Sequence, residues 1–339
     1  METGSKGIRI HRVLALLLIL MGVCSAAPAL DIKLASVAPS NTPYSTALEQ
    51  LAAEWEQISG GSVRVIVYEN GIAGNQADML RKMRIGEIQG GLFASTGLTD
   101  IAPAAMSVSV PYLIQNNAEF ASVMKRLRPI LDAQAESHGF KAVVWAEAGW
   151  AYLFSKTPVA TPRQAKQLKL AVPPDQPTLI NSFKAFGYRP VPIDLPETLS
   201  ALNSGLVNGV FASPSLAAGY QWFGIARYMT DQKIAPVLGS VLINQRTWDL
   251  IPPAYRQRFE AAARRIEDQL QSRLQSFDDQ ATAIMKNYGL QLVPVSPAEQ
   301  NAWHAELKRY WNDLVGPVFD RWTVELIRRD LAEYRSQEQ

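Results

Sequence analysis

The segments GEIQGGLFAS (residues 86–95) and GLVNGVFAS (residues 205–213) repeat one pattern within a chain of 339 residues. Each follows a predicted helix, at 77–85 and 196–203, so each unit contains a helix, a glycine that stops it, and a short strand ending in Phe-Ala-Ser. In open α/β sheets, ligands bind beyond the carboxyl ends of strands. Two such ends that face each other would form opposite walls of one cleft. The alternative is a chance recurrence of Gly and Phe-Ala at helix-to-strand junctions.

Short β-rich runs alternate with amphipathic helices on either side of both segments, which predicts an α/β protein. Predicted strands cover 32–36, 62–68, 91–94, 168–172, 191–193 and 237–244. One predicted helix is capped by Asn41 or Thr42, and others cover 78–85 and 179–186. Beyond two prolines at 252–253, residues 254–288 carry few helix breakers. They predict one long charged helix of about 50 Å, at ~1.5 Å per residue, which could lie across two lobes.

Length and composition predict two lobes. About 310 residues remain after removal of a predicted leader, more than a single core usually holds, and 47% of the chain is hydrophobic. We predict a first lobe of 30–151 plus 240–265 and a second of 152–239 plus 266–339, joined by ordered hinge strands because no low-complexity linker is present. The mature chain has 30 basic and 30 acidic residues, which indicates no nucleic-acid partner and no polybasic membrane patch.

The N-terminus predicts export to the periplasm. Three basic residues within 6–12 precede the apolar run 13–21 and a series of small residues, the pattern of a signal peptide spanning 1–29. The run is about half the ~20 residues of a membrane-spanning helix. Cleavage after Ala29 would remove Cys24, the only cysteine. The alternative is a lipid anchor at Cys24, although residues 21–23 fit poorly the small-residue site that precedes a lipidated cysteine.

The residue types that support catalysis are scarce. Outside the leader the only histidines are His138 and His304, and solvated surface positions suit both. No His/Cys cluster has metal-ligand spacing, and no phosphate loop, nucleophile elbow or dinucleotide motif occurs. Carboxylate pairs such as Glu69 with Glu147 arise freely in a chain rich in acids. The sequence predicts no enzyme, no cofactor and no metal site.

Five weaker motifs occur in a fixed order along the chain. They are ENGIAG (69–74) before a helix, VPYL (110–113), Gly149 in a tryptophan-rich strand, LKLAVP (168–173), and Trp248 shortly before IPP (251–253). Together they resemble the extracytoplasmic solute-binding subunit of the TRAP (tripartite ATP-independent periplasmic) transporters, of the dicarboxylate-binding DctP type, over residues 32–289.

This resemblance implies a two-lobed periplasmic-binding-protein fold, type II-like, with hinge strands and a long helix spanning both lobes. It also implies a receptor without catalysis or cofactor. Such a receptor closes on a small-molecule solute and delivers it to membrane permease subunits of the TRAP type.

The chain departs from the family where a ligand carboxylate would bind. Family members carry an arginine before Val172-Pro173, whose planar guanidinium clamps the carboxylate; here that residue is Ala171. A second basic residue commonly follows the Gly-aromatic pair, where this chain has Ala151. A polar run of the family is also altered: in this chain it reads NGVFASP (208–214), with Val, Phe and Ala among the polar residues. Because burying an unpaired carboxylate is costly, we expect a hydrophobic or weakly polar ligand.

The candidate ligand-binding residues are of two kinds. Ala171 occupies the position of the family's arginine. The wall candidates are apolar or aromatic residues, although packing alone explains any single aromatic ring. They are Val37, Tyr44, Phe93, Tyr112, Trp145, Trp150, Phe211, Tyr220, Trp222 and Phe223. The polar candidates are Glu69, Asn70, Ser95, Glu147, Asp175 and Ser213.

Two alternative functions stay open. A conventional organic-acid receptor could use a relocated basic residue, such as Arg81, Lys156 or Arg189. A protein-interaction module with no transport role could instead use aromatic residues of the C-terminal helices, because in one branch of the family the receptor associates with a helical-repeat periplasmic protein. That series is Trp303, Tyr310, Trp311, Phe319 and Trp322, and packing onto the second lobe is its simpler explanation.

Overall fold

The computed structural model describes residues 29–337, and the predicted α/β class is confirmed. The basic and apolar parts of the predicted signal peptide, and Cys24, lie outside the described residues. The strands are β1 (Leu30–Ser36), β2 (Val63–Tyr68), β3 (Gly90–Ala94), β4 (Phe140–Ser155), β5 (Lys169–Val172), β6 (Arg189–Pro192), β7 (Gly209–Ala212), β8 (Tyr228–Thr230), β9 (Ala235–Asn244) and β10 (Gln291–Val293).

Helices cover both faces of the strands. They are α1 (Pro43–Ser59), α2 (Gln76–Ile85), α3 (Asn117–Ser137), α4 (Pro162–Ala165), α5 (Pro177–Ala185), α6 (Thr198–Ser204), α7 (Pro214–Gly219), α8 (Gln245–Leu250), α9 (Pro253–Asn287), α10 (Pro297–Leu314) and α11 (Arg321–Gln337). Within residues 29–337, none of these helices is both long enough and apolar enough to cross a membrane.

The strands run in the order β2-β1-β3-β9-β4-β7-β5-β6, and two of them connect the halves of the molecule. In the first half β1 is parallel to β2 and β3, while β9 runs antiparallel between β3 and β4. In the second half β5 is parallel to β6 and β7. Strand β4 pairs with β9 as far as Ala151 and with β7 from Tyr152 onward, so one continuous strand joins both halves.

The repeated sequence pattern folds as predicted. Helices α2 and α6 end at Gly86 and Gly205, which adopt left-handed φ values of 79° and 75° that favour glycine. Each glycine leads into a short strand, β3 or β7, that is parallel to one neighbour and antiparallel to a connecting strand. The two halves therefore present equivalent strand ends, at Ser95 and Ser213.

The predicted long helix is also confirmed, as α9. In the first half it packs against α1, where Trp55 stacks on Phe259 with ring centroids 4.4 Å apart. In the second half its Asp278 carboxylate accepts hydrogen bonds from the Ser215 backbone N–H (3.0 Å) and hydroxyl (2.6 Å) at the start of α7. One rigid element thus contacts both lobes.

The lobe boundaries stay a prediction, and two contacts bear on them. Strand β9 joins the first-half sheet from Ala235 rather than from residue 240. Helix α11 packs against α3 of the first half, where Arg126 pairs with Asp330 at 2.8 Å and Arg335 pairs with Glu119 at 2.8 Å. These contacts favour assigning 321–337 to the first lobe instead of the second, since the helix buries its apolar face there.

Candidate functional site

A cavity of about 380 Å³ lies between the two halves, where the ends of β3 and β7 face each other. Both ends contribute the same residue types to its wall, Phe93 with Ser95 and Phe211 with Ser213. This is the arrangement that the repeated segments predict. Of the predicted site residues, the cavity wall contains Val37, Tyr44, Phe93, Ser95, Glu147, Ala171, Phe211 and Ser213.

Eight predicted site residues lie outside this wall, as does Phe223. Trp145 and Trp150 donate their indole N–H groups to Asp132 and Asn117, both at 2.8 Å, and so are fixed against α3. Tyr112 and Trp150 line a second cavity of about 280 Å³.

The remaining residues outside the wall have other surroundings. Tyr220 stacks on Trp222 at 5.1 Å, in the core that Phe223 also joins. Glu69 and Asn70 both hydrogen-bond to Ser40. The buried Asp175 carboxyl has its pKa raised by burial, and hydrogen bonds from its own backbone and from that of Ala77 oppose this effect.

Sequence reasoning missed one apolar wall of the cavity. It comprises Leu179 and Phe183 of α5, Phe186 directly after that helix, and Leu195. Their spacing along α5 is that of an amphipathic helix face, a signal that is present in the sequence. That face predicts burial, but it does not say whether a core or a ligand cavity lies opposite.

The cavity wall contains no lysine, arginine or histidine among the residues that the structure describes. Ala171 and Ala151, at the two positions where basic residues were expected, both belong to the wall. Of the described residues, Glu147 and Glu267 are the charged ones in the wall, and Arg128 pairs with Glu267 at 2.5 Å. A carboxylate bound in this cavity would meet no basic partner from the wall.

The three basic residues considered as relocated clamps lie away from the wall. Arg81 pairs with Asp78 at 3.1 Å on the surface of α2. The Lys156 ammonium donates to the Leu202 carbonyl at 3.1 Å, and Arg189 donates to Gln167 at 3.4 Å. Each has a partner from its own neighbourhood.

Glu147 is the unusual polar residue of the cavity. It is 1% exposed, its Oε2 accepts a hydrogen bond from the Gln271 amide at 2.9 Å, and its buried Oε1 has no hydrogen-bond partner among the described residues. Burial raises the pKa of this carboxyl, and the nearby Asp278 raises it further. The hydrogen bond from Gln271 and the charge of Lys233 oppose that effect.

A second wall residue also has an unmatched polar atom. The hydroxyl of Tyr188 is buried and has no hydrogen-bond partner within residues 29–337, and burial raises its pKa well above the ordinary value. The hydroxyl of Tyr44, by contrast, donates to the Ala148 carbonyl at 2.9 Å. The cavity therefore combines an apolar surface with two buried polar atoms, Glu147 Oε1 and Tyr188 Oη, that find no partner in the described part of the chain.

Direct contacts join the two halves of the molecule. The Tyr220 hydroxyl donates to the Val37 carbonyl, and the Gln176 amide donates to the Thr96 carbonyl at 2.6 Å. Each bond joins a residue of the second half to one of the first. The conformation described is that of two lobes brought together over an internal space.

The molecule has two lobes joined by connecting strands, a long helix that contacts both, and a cavity between them. These features define a solute-binding protein of the periplasmic-binding-protein class. Among residues 29–337, no three acidic, histidine or cysteine side chains converge to hold a metal ion. The family model described as bacterial extracellular solute-binding protein, family 7, matches residues 34–316. The chain belongs to this family, whose members are solute receptors rather than enzymes, so the resemblance to TRAP solute-binding subunits is confirmed.

Sequence and structure comparisons agree on this assignment. A solute-binding protein of Verminephrobacter eiseniae is 26% identical over 259 residues, which cover 75% of this chain and 76% of the relative. A TRAP solute-binding protein of Sulfurospirillum deleyianum, with bound succinate, superposes with a TM-score of 0.82 at 19% identity, covering 89% of this chain and 99% of that one.

A second structure shows the same fold. The sugar-acid-binding protein of Advenella mimigardefordensis, in complex with galactonate, has a TM-score of 0.84 at 15% identity, with 90% and 99% of the two chains covered.

Proposed function

We propose that this protein is a periplasmic receptor that captures a hydrophobic or weakly polar solute and delivers it to a TRAP-type permease. The observation that carries the proposal is the cavity wall, in which Ala171 and Ala151 stand at the clamp positions and no basic residue replaces them. Receptors of this family deliver small molecules to membrane permeases. Only the class of solute differs in the proposal.

The ligands bound in two similar structures differ in class from the solute proposed for this protein. The two similar structures hold succinate and galactonate, and both molecules are carboxylates. A carboxylate in the present cavity would lose its hydration without gaining a charged partner, and Glu147 would repel it. The apolar wall offers instead the burial of hydrocarbon surface, worth about 25 cal/mol per Å².

The two alternatives receive less support. Arg81, Lys156 and Arg189 would have to leave their present partners and enter the cavity to act as clamps. In the C-terminal aromatic series, Trp303 and Phe319 are buried and Tyr310 stacks on Phe186 at 3.8 Å, while only Trp322 is largely exposed, at 56%. A docking surface for a helical-repeat protein would need more exposed rings.

Export belongs to the same proposal. Strand β1 begins at Leu30, and the Leu30 amide already hydrogen-bonds to Ser62 at 2.9 Å. Cleavage after Ala29 would leave the first strand intact and remove Cys24, so no lipid anchor would form. Release of the mature chain into the periplasm is consistent with this geometry.

Native mass spectrometry and calorimetry test the proposal. We expect protein purified without refolding to carry a small uncharged or weakly polar mass. After its removal we expect no heat with succinate or galactonate, because the wall provides no basic partner. A dissociation constant near micromolar for either acid would overturn the proposal, whichever residue bound it.

A further inference from the structure

The partnerless oxygen of Glu147 limits the kind of solute that the cavity can stabilise. An ionised carboxylate that is 1% exposed pays a desolvation cost, and the Gln271 amide offsets this cost at Oε2 only. Oε1 has no donor from the described residues, although Glu147 belongs to the cavity wall. A solute that donates a hydrogen bond to Oε1 would offset the rest of this desolvation cost, and that gain would contribute to its binding.

The surrounding charges favour a cationic donor over a neutral one. Asp278 lies outside the wall, where its carboxylate accepts hydrogen bonds from Ser215, and the wall residue Glu267 pairs with Arg128. Among the described residues of the wall, Glu147 is therefore the acidic side chain that has no basic partner. The charge of Lys233 lowers the pKa of Glu147, and its ammonium lies 5.3 Å from the Trp150 ring centroid and 3.4 Å from Gln275. Lys233 lines the second cavity and not the first, so it is not part of the wall to which Glu147 belongs.

We infer that the solute is an apolar molecule bearing a protonated amine, whose N–H group donates to Glu147 Oε1. This inference rests on the proposed function and specifies its ligand class. A charge-assisted bond of this kind is about twice as strong as a neutral one, whereas an acid of the same size is repelled. The phenol of Tyr188, also without a partner, provides a second polar contact for the same solute.

Three matched probes test the ligand class: phenethylamine, phenethyl alcohol and hydrocinnamate, measured by calorimetry on the ligand-free full-length mature protein. We expect the amine to bind at least about tenfold more tightly than the alcohol and the acid to give no heat. Hydrocinnamate binding as tightly as the amine, or no amine binding at millimolar concentration, would overturn the inference.

The variant Glu147→Gln tests the residue. It keeps the shape of the side chain and removes its charge, so we expect amine affinity to fall about tenfold while alcohol affinity changes less than about threefold. Glu49→Gln, which removes an exposed carboxylate on α1, should change neither. An equal loss for amine and alcohol, or an unchanged amine affinity, contradicts the role of Glu147.

The inference and the proposed function fail separately. If the alcohol binds as tightly as the amine, the inferred amine ligand is wrong, but the proposed receptor for hydrophobic or weakly polar solutes stands. Acid binding would remove both. If Glu147→Gln does not fold, the order of the three probes on the wild-type protein decides the question.

Discussion

The alanine side chains at positions 171 and 151 are too short to reach a ligand with any polar atom, yet both line the cavity. We predict that the double change Ala171→Arg with Ala151→Arg introduces binding of succinate. Each charged hydrogen bond that forms would contribute about 1.5–3 kcal/mol, which calorimetry detects. Ala171→Met with Ala151→Met adds similar length without charge and should bind no acid.

Succinate binding by the wild-type protein is the more decisive measurement. Micromolar succinate binding by the wild type, abolished on removal of some other arginine or lysine, would show that the clamp has moved rather than disappeared. The hydrophobic-ligand proposal would then be wrong. The double methionine variant is the control, because acid binding by that variant would reflect altered packing and not a new charged contact.

The connecting strand β4 depends on one glycine. Gly149 has a φ of 87°, and a Cβ placed there would lie 2.7 Å from the Ser213 Cβ and 2.8 Å from the Asp278 Oδ2. Because glycine has no Cβ, β4 can approach α7 and α9 at the point where the two lobes meet. We predict that Gly149→Ala lowers the free energy of unfolding by at least about 3 kcal/mol, through backbone strain combined with steric overlap.

Thermal and urea unfolding measure this effect, and Gly60→Ala is the matched control. Gly60 also has a left-handed φ, 60°, but no atom lies within 4 Å of the position that a Cβ would occupy. The control therefore carries only the conformational cost, about 1–2 kcal/mol. Equal losses in both variants would mean that the contacts of Gly149 with Ser213 and Asp278 do not matter.

At the scale of elements, the sequence predicts the order of strands and helices well because their end signals are local. Thr42 begins α1 with a capping box, and Gly60 ends it in a left-handed conformation. The long helix is equally readable, since 35 residues without an internal breaker form α9. These signals depend on neighbours in sequence and need no knowledge of the tertiary fold.

The faces of β4 are less predictable. Its pairing with β9 shifts register between Glu147 and Trp150, where Gly149 interrupts the regular alternation of side chains. Alternation counted from Trp145 therefore cannot say which side Trp150 or Ala151 faces. The structure turns both tryptophans toward α3 and leaves Glu147 and Ala151 at the cavity, and this division depends on long-range packing.

At the scale of the whole molecule, buried carboxyl groups should set how stability changes with pH. Burial raises the pKa of Glu147, Glu267 and Asp278, although Arg128 opposes the effect at Glu267 and Ser215 opposes it at Asp278. A carboxyl whose pKa is higher in the folded state binds its proton more tightly there. Its contribution to stability is present below the unfolded-state pKa and is lost as pH rises through the folded-state pKa.

We therefore predict that Glu147→Gln gains stability relative to the wild type as pH rises above the ordinary glutamate value of 4.5. Each pKa unit between the folded and unfolded states is worth about 1.4 kcal/mol, so differential scanning calorimetry at a series of pH values resolves the trend. The difference in melting temperature, variant minus wild type, should grow with pH and level off once the wild-type carboxyl is ionised in the folded state.

Glu306 provides a control of opposite sign. Burial raises its pKa, but hydrogen bonds and charge from Lys166, with further hydrogen bonding from Tyr310, lower it more, so the net direction is downward. A carboxyl of that kind stabilises the fold above the unfolded-state pKa, and Glu306→Gln should therefore lose stability relative to the wild type as pH rises. Parallel trends in the two variants would show that ionised Glu147 is not destabilising, and a solute amine would then have no unmatched charge to neutralise.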